Sequence, residues 1–401
     1  MHNDGSESSL TDKKHLQRYF QYAETIILSY EGTEPFHNYL KKYFSQHKKH
    51  GSRDRKIITS LCYNYFRVCF GVSNKISFKE KLLLSIFLCE NKDSPLVKFV
   101  KSEWQSAIEL PLVDRLNIFG EDFNKERIFP FSQELSIEID CSKFSFSFLI
   151  QPKLFIRIRP GHEKSVLDKL SSANILFAKI NADCLAFYNT EKVSNVIDID
   201  REAVIQDYNS QRTVPFFASF IQHNNFQISI WDCCAGSGGK SILAFDIFKN
   251  IQLTVSDTRK KILQNLQTRF QKAGIKNFNL SIFNLEKPAP FGSLFDLIIA
   301  DVPCSGSGTW SRTPEQLSFF KKKEIDNYSS LQKKIIENAL PHLKDNAHLL
   351  YITCSVFKKE NEENVDFFKS AFELKLIGMQ YLKGYEMQAD TLFVALLKKT
   401  G

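Results

Sequence analysis

The stretch ISIWDCCAGSGGKSILAF, residues 228–245, decides the fold of this chain. It predicts a strand over Ile228–Cys233, a turn built on Gly236, Gly238 and Gly239, and then a helix. Four more apolar runs follow along the chain, IQLTVSD, NLSIF, LFDLIIADVP and HLLYITCS, and helical patterns separate them. Because buried strands that alternate with helices form parallel sheets, the sequence predicts an α/β fold with a doubly wound sheet.

The glycine turn has the position of a ligand-binding loop. A triphosphate-binding loop would read GxxxxGKS, but the residue five before Gly239 is Cys234, so that spacing is broken. Asp257 follows the second strand, where a carboxylate accepts hydrogen bonds from both ribose hydroxyls. Asn284 follows the third strand and is expected to reach the adenine edge. The predicted ligand therefore contains an adenosine. NAD would also bind at such an aspartate, but GSGGK is not the GxGxxG motif of dinucleotide sites. S-adenosylmethionine sites use the same strand ends.

Two cysteines follow two further strands. Cys304 comes shortly after Asp301, and Cys354 follows the next strand along the chain. Both thiols are therefore expected at the carboxyl edge of neighbouring strands, where open α/β sheets bind ligands. Carbon 5 of cytosine becomes nucleophilic when a thiolate adds to carbon 6, and a second group must then help to remove the carbon 5 proton. Asp301 is placed to bond the exocyclic amine and ring nitrogen of that base.

A helical bundle is predicted ahead of this region, because apolar residues recur at helical spacing from Asp12 to about Val113. The bundle carries basic clusters at Lys41–Lys49 and Gly51–Lys56. These clusters have two interpretations, a solvated face or a contact with RNA.

Between the bundle and the glycine turn, the pattern predicts a small α+β domain. The segments LSIEID, FSFSFLI and LFIRIRP alternate as strands do, a helical pattern covers Glu163–Ala173, and a polar connector covers Asn189–Ser210. Arg157 and Arg159 alternate with isoleucines and so share one strand face. They are expected either to contact phosphate or to lie exposed on that face.

Composition limits the class of protein further. The 401 residues carry a net charge of +8, which permits a polyanionic partner. The longest uncharged apolar stretch, Leu82–Cys89, is far short of the roughly 20 residues that span a bilayer, so a cytoplasmic protein is expected without membrane contact. The nine cysteines show no paired spacing and no ligand cluster with histidine, so reduced thiols and no metal site are expected.

Three of these segments together resemble a known family. DCCAGSGGKS, DVPCSGSGTWSRTPE and YITCSVFKKENEENV are similar to motifs I, IV and VI of the RsmB/Nop/Sun family of RNA 5-methylcytosine methyltransferases, and VIQDYNSQ and LFVALLKK extend the match over about Val204–Lys399. The resemblance implies a helical NusB-like RNA-binding domain over 1–130, a small RRM-like module over 131–200 and a Rossmann-type catalytic domain over 201–401. It also implies S-adenosyl-L-methionine as cofactor, ribosomal RNA as the favoured substrate with transfer RNA as an alternative, and a monomer.

The resemblance also assigns roles by motif position. Cys354 takes the place of the nucleophile, and Cys304 that of the group assisting proton abstraction and product release. Asp301 and Lys240 face the target base, Asp257 binds the ribose and Asn284 meets the adenine. The methionine and ribose part is lined by Cys234, Ala235, Gly236, Ser237, Gly238, Gly239 and Lys240.

Two positions depart from the family pattern. The family loop commonly reads CAAPGGK, so Gly236 and Ser237 are expected to loosen the turn, and Asn284 stands where an aspartate is usual. Two other functions stay open at this point: an S-adenosylmethionine enzyme acting on protein or a small molecule, and an RNA-binding assembly factor without activity. The paired cysteines favour the RNA methyltransferase over both.

Overall fold

The computed structural model describes residues 4–118, 123–218, 227–248 and 250–400, and the chain divides into two compact units. The helical unit consists of Met1–Ser132, Asp140–Gln151 and Trp310–Phe320. The sheet unit consists of Gln133–Ile139, Pro152–Thr309 and Lys321–Gly401. The predicted functional domain borders, 1–130, 131–200 and 201–401, stay a prediction.

The described chain is helical up to Ser147, and strands and helices are mixed from Leu154 onward. The helices are α1 (Asp4–Ser29), α2 (Phe36–Gln46), α3 (Ser52–Val68), α4 (Phe78–Cys89), α5 (Ser102–Gln105), α6 (Leu112–Asn117), α7 (Cys141–Ser147), α8 (Glu163–Ser172), α9 (Tyr208–Gln211), α10 (Val214–Ala218), α11 (Gly239–Ile247), α12 (Lys260–Ala273), α13 (Gln316–Phe319), α14 (Lys323–Ala339) and α15 (Glu362–Ala371). The strands are β1 (Leu154–Ile158), β2 (Ala178–Lys179), β3 (Cys184–Phe187), β4 (Ala203–Ile205), β5 (Ile228–Asp232), β6 (Ile251–Asp257), β7 (Phe278–Ile282), β8 (Phe295–Asp301), β9 (Leu343–Thr353), β10 (Leu374–Leu382) and β11 (Leu392–Lys399).

The helical unit forms as the apolar spacing predicts. Helix α2 buries Phe36, Leu40 and Phe44, which are four residues apart and so share one face. Helix α4 begins at a capping box in which the Ser77 hydroxyl accepts from the Glu80 N–H while the Glu80 carboxylate accepts from the Ser77 N–H. Within the described ranges, no helix is long and apolar enough to cross a membrane.

A segment from the second half of the chain completes the helical unit. Trp310 is 1% exposed, and its ring centroid lies 6.0 Å from that of Phe129 and 5.9 Å from that of Phe131. Phe319 packs edge-on against Tyr30 with 4.9 Å between the centroids. Residues 310–320 therefore contribute to the core of a unit whose remaining residues all lie before position 152.

The expected strand at FSFSFLI is wrong, because this segment begins as helix α7. The Asp140 carboxylate accepts a hydrogen bond from the Lys143 N–H and caps the helix. Phe144 and Phe148, one turn apart, are both buried against Phe129. Two aromatic residues four apart satisfied the helical period, although the intervening serines produced an alternation typical of a strand.

A small four-stranded antiparallel sheet with the order β2-β3-β1-β4 forms part of the sheet unit. Ile156 and Ile158 of β1 belong to its apolar core together with Val166 and Leu170 of α8. Strand β4 lies inside the segment expected to be a polar connector, which corrects that expectation. Its three residues read AVI, too short a run to be recognised from alternation alone.

Neither expectation for Arg157 and Arg159 is correct. Arg157 is 3% exposed and Arg159 is 8% exposed, and both guanidinium groups bond to the Asp246 carboxylate on α11. The two N–O distances are 2.7 Å. The arginines do share one face of β1, but that face packs against helix α11, so they are interior ion pairs.

A seven-stranded sheet with the order β10-β11-β9-β8-β5-β6-β7 forms the core of the sheet unit. The strands from β9 to β7 are parallel, β11 pairs antiparallel with β9, and β10 pairs antiparallel with β11. From β5 the chain moves outward to β6 and β7, and then returns to place β8 on the other side of β5. This change of direction opens the crevice in which doubly wound sheets bind ligands.

Candidate active site

The predicted site residues lie at the carboxyl ends of the parallel strands. The turn residues Cys234 to Lys240 follow β5, Asp257 ends β6, Asn284 follows β7, Asp301 ends β8 with Cys304 after it, and Cys354 follows β9. Three pairs are brought into contact: Gly236 with Asp257, Lys240 with Asp301, and Cys304 with Cys354. Asn284 instead bonds to Glu286 and is exposed.

The turn after β5 depends on glycine at position 238. Gly238 has φ +84° and precedes α11 directly. A Cβ there would lie 2.7 Å from a ring carbon of Phe270, so a side chain would meet both backbone strain and a clash. Ser237, expected to loosen this turn, is braced by the Arg269 guanidinium, which donates to its carbonyl oxygen at 2.8 Å and to its hydroxyl at 2.9 Å.

The Asp257 carboxylate already has a full set of donors. Its oxygens accept from the Gly236 N–H at 3.0 Å and from three N–H groups of Arg259, each at 2.9 Å. Burial raises the pKa of Asp257, but the bonds from Arg259 lower it more, so that the pKa lies below its ordinary value. The sequence analysis missed Arg259, although its position two residues after the aspartate was the available signal.

Lys240 is buried and held between two partners. Its ammonium donates to the Ser210 hydroxyl at 2.7 Å and to the Asp301 carboxylate at 3.2 Å. The Gln206 amide also donates to Ser210. Lys240 is 7% exposed and Asp301 is 36% exposed, so the carboxylate is the member of the pair that faces solvent. Ser210 was not singled out from the sequence, although it belongs to the quoted segment VIQDYNSQ.

The two cysteines meet as predicted. Their Sγ atoms are 3.2 Å apart, at the ends of the neighbouring strands β8 and β9. The pKa of Cys304 is raised well above its ordinary value, because its thiol shares a hydrogen bond with Cys354 and is buried. The assignment of Cys354 as the nucleophile stays a prediction.

A buried carboxyl group that the sequence analysis did not single out ends strand β5. Burial raises the pKa of Asp232 to about 7, although the Ser241 hydroxyl donates to it at 2.6 Å. Its second oxygen has no hydrogen-bond partner within the described residues. Over the same residues, no three histidine, cysteine, aspartate or glutamate side chains are grouped as metal ligands.

Residues 219–395 match the family model of the 16S rRNA methyltransferases RsmB/F. Curated relatives bear the name ribosomal RNA small subunit methyltransferase B. The one from Xanthomonas campestris is 28% identical over 185 residues, 42% of this chain and 42% of the relative. The one from Citrobacter koseri is 28% identical over 206 residues, 49% of this chain and 47% of the relative. The match therefore spans less than half the length of these relatives.

Solved structures of similar architecture cover more of the chain. The crystal structure of PH0851 has a TM-score of 0.68 at 19% identity, covering 95% of this chain and 98% of that one. The structure of NSun6 from Pyrococcus horikoshii with SFG has a TM-score of 0.57 at 15% identity, covering 68% and 97%. At such identities the likeness concerns the fold, and it confirms the predicted Rossmann-type methyltransferase fold with a helical region before it.

Proposed function

We propose that this chain methylates carbon 5 of a cytosine in RNA, with S-adenosyl-L-methionine as donor, because residues 219–395 match the family model of the RsmB/F methyltransferases. Ribosomal RNA is the favoured substrate, since the curated relatives are named for it. The observation that carries the proposal is the pair of thiols, Cys304 and Cys354, at neighbouring strand ends. A protein or amine methyltransferase needs no second thiol.

The residues at the strand edge fit an adenosine-containing donor. The buried Asp257 carboxylate would accept from ribose hydroxyls that replace the Arg259 side chain, and a Cβ at Gly239 would meet no atom within 4 Å, which leaves main chain accessible there. The unpartnered oxygen of Asp232 adds a hydrogen-bond acceptor. S-adenosyl-L-methionine supplies a methyl group on a sulfonium when bound, and these residues bind and orient it.

In the proposed reaction, Cys354 activates the base. After its proton leaves to solvent, the thiolate forms a bond to carbon 6, and the displaced electron pair makes carbon 5 nucleophilic. Carbon 5 would then take the methyl group of the sulfonium, whose C–S electron pair would stay on the sulfur of the departing thioether. Asp301, fixed by Lys240, accepts a hydrogen bond from the exocyclic amine and orients the ring.

Release of the product requires Cys304. The main cause of its raised pKa, the hydrogen bond with Cys354, is removed once Cys354 is bonded to the base. Cys304 then loses its proton to solvent, and its thiolate takes the carbon 5 proton from the methylated ring. The electrons of that C–H bond restore the ring double bond as the bond between carbon 6 and Cys354 breaks.

A basic groove in the helical unit supports an RNA substrate. Lys41, Arg55 and Lys56 line a cavity of about 720 Å³ together with Phe44 and Tyr63. Basic side chains such as these contact phosphates. Of the two interpretations of the basic clusters, we therefore propose the RNA contact.

Two substitutions test the chemistry. Cys354→Ala is expected to reduce transfer of labelled methyl to RNA below about one per cent of wild type, since no adduct forms. Cys304→Ala is expected to trap a protein–RNA adduct that migrates slowly on a denaturing gel. Cys141→Ala, in the helical unit, is the matched control and should behave as wild type. Full activity of Cys354→Ala would overturn the proposal, and bisulfite sequencing of RNA from a strain lacking the gene would identify the cytosine.

A further inference from the structure

One buried carboxylate joins the two loops that carry the cysteines. Glu360, in the short turn Lys358–Glu360 before α15, is 0% exposed. Its carboxylate accepts from the Ser305 N–H at 2.9 Å and from the Ser355 hydroxyl at 2.7 Å. Ser305 follows Cys304 and Ser355 follows Cys354. A single side chain therefore bonds to the residue next to each thiol.

The surroundings of Glu360 make this bridge rigid. The Gln332 amide donates to the same carboxylate at 2.9 Å, and the Tyr351 hydroxyl donates to the Glu360 carbonyl oxygen at 2.6 Å. Beside the carboxylate, the hydroxyls of Ser305, Ser307 and Ser355 lie 3.1–3.2 Å from one another. These partners are neutral, so among the interactions shown for the described residues the buried acid is stabilised by hydrogen bonds and not by an ion pair.

The bridge bonds to the Ser305 main chain and the Ser355 side chain, and it does not bond to either thiol. Glu360 holds positions 305 and 355, whereas both Sγ atoms can rotate about their own Cα–Cβ bonds. A base between the two thiols needs them on opposite faces of one ring, which the present distance of 3.2 Å does not allow. Rotation of the two cysteine side chains can increase the distance between the Sγ atoms while the backbones of the two loops keep their relative position.

We propose that Glu360 is a positioning residue that fixes the Cys304 loop against the Cys354 loop, so that proton removal and release follow methyl transfer on the same bound base. The proposal rests on the proposed function for its kinetic consequence only. Its geometric consequence, the juxtaposition of the two thiols, exists without any substrate.

The geometric test measures how fast a short bifunctional thiol reagent, dibromobimane, bridges Cys304 and Cys354 in the full chain without ligands. Glu360→Ala is expected to slow bridging at least about tenfold, because the loops lose their common partner. Glu360→Gln keeps the volume and one carbonyl acceptor and should bridge near the wild-type rate. Cys354→Ala gives the background from other thiols, including the adjacent Cys233 and Cys234, and peptide mapping identifies the bridge.

The matched control is Asp296→Ala. Asp296 also accepts from a serine N–H and hydroxyl, those of Ser229, but at the opposite edge of the same sheet. Asp296 is partly exposed and also pairs with Lys344, and its removal should keep the wild-type bridging rate. If Glu360→Ala does not fold, as judged by thermal denaturation, Ser355→Ala replaces it, since this variant removes one bond of the bridge and should slow bridging by a smaller factor.

The kinetic test looks for the step that fails. Glu360→Ala keeps Cys354 but should impair product release. The variant should therefore accumulate protein–RNA adduct while its RNA affinity stays unchanged. A purely structural role of Glu360 would not lead to this accumulation. A folded Glu360→Ala variant that bridges as fast as wild type would overturn the proposal. Absence of any RNA methylation by the wild type would overturn the proposed function instead, and the bridging rates would still decide the role of Glu360.

Discussion

The two basic regions of the molecule look alike in sequence and differ in structure. In the helical unit, Lys41, Arg53, Arg55 and Lys56 are exposed, and three of them line the groove. In the small sheet, Arg157 and Arg159 are buried on Asp246. A run of positive charge therefore does not indicate a polyanion site by itself. The element that packs against the basic residues decides whether they are exposed or buried. For Arg159 that element is helix α11, whose Asp246 lies about 90 residues further along the chain.

The largest effect is expected from Asp246→Ala. Removal of this carboxylate leaves two buried guanidinium groups without their counter-ion, which should lower the free energy of unfolding by about 3–5 kcal/mol. Chemical denaturation measures the loss. Asp345→Ala removes the partner of Lys399 in an exposed ion pair and is the control, with a change within about 0.5 kcal/mol. Equal stability of both variants would mean that the bonds between Asp246 and the two buried arginines do not stabilise the fold.

The groove is expected to affect binding and not stability. Alanine at Lys41, Arg55 and Lys56 together should raise the RNA dissociation constant about tenfold or more, because fewer counterions are released from the RNA. The slope of log affinity against log salt should become shallower by about 0.7 for each single-strand phosphate that is no longer neutralised. Filter binding over a salt series gives both quantities.

The control for the groove is a second triple variant. Lys260, Lys272 and Lys276 are exposed lysines of the sheet unit, at or near helix α12. Alanine at all three should leave the slope unchanged if the groove selects RNA. An equal change of slope in both triple variants would mean that only total charge matters.

A smaller effect concerns the pH dependence of the small sheet. Burial raises the pKa of Glu202, but hydrogen bonds from Lys169, the Asp198 N–H and Ser165 lower it more, to about 2. Because the folded-state pKa is depressed, this stabilisation is present above about pH 4.5 and is lost as the pH falls towards 2. Glu202→Gln should flatten the unfolding free energy over that window in acid titrations. A profile parallel to wild type would show that the carboxylate is not coupled to folding.

The smallest effect is expected at Arg259, an arginine that is exposed and yet paired. Arg259 is 61% exposed and donates to the Asp257 carboxylate that the proposed ribose would need. Arg259→Ala should therefore raise S-adenosyl-L-methionine affinity about two- to fivefold, the range of an exposed ion pair. Calorimetry measures this affinity, and Asp257→Ala, which removes the carboxylate itself, should lower it. Weaker binding by Arg259→Ala would mean that the arginine contacts the ligand itself.

Local sequence patterns predicted much of the fold, because the spacing of apolar residues determines where most strands and helices form. The strand predicted over Ile228–Cys233 forms as β5 over Ile228–Asp232. The meeting of Cys304 and Cys354 followed from strand order, since parallel strands end at one edge. Helix α7 was missed because it is started by a single capping residue, Asp140, within a segment that alternates like a strand. Strand β4 was missed because it consists of only three residues paired with β1. The pairing of Arg157 with Asp246 could not be predicted, because it depends on tertiary packing between distant segments of the chain.

Residues 310–320 have a consequence for biosynthesis. The ribosome delivers the chain from its amino end, and early segments usually fold first. Here the aromatic cluster of Phe129 and Phe131 lacks Trp310 until strands β5 to β8 have been made. The helical unit thus finishes its core late, after much of the sheet unit has been synthesised. Its earliest nascent form would carry exposed aromatic surface, a ready contact for a chaperone.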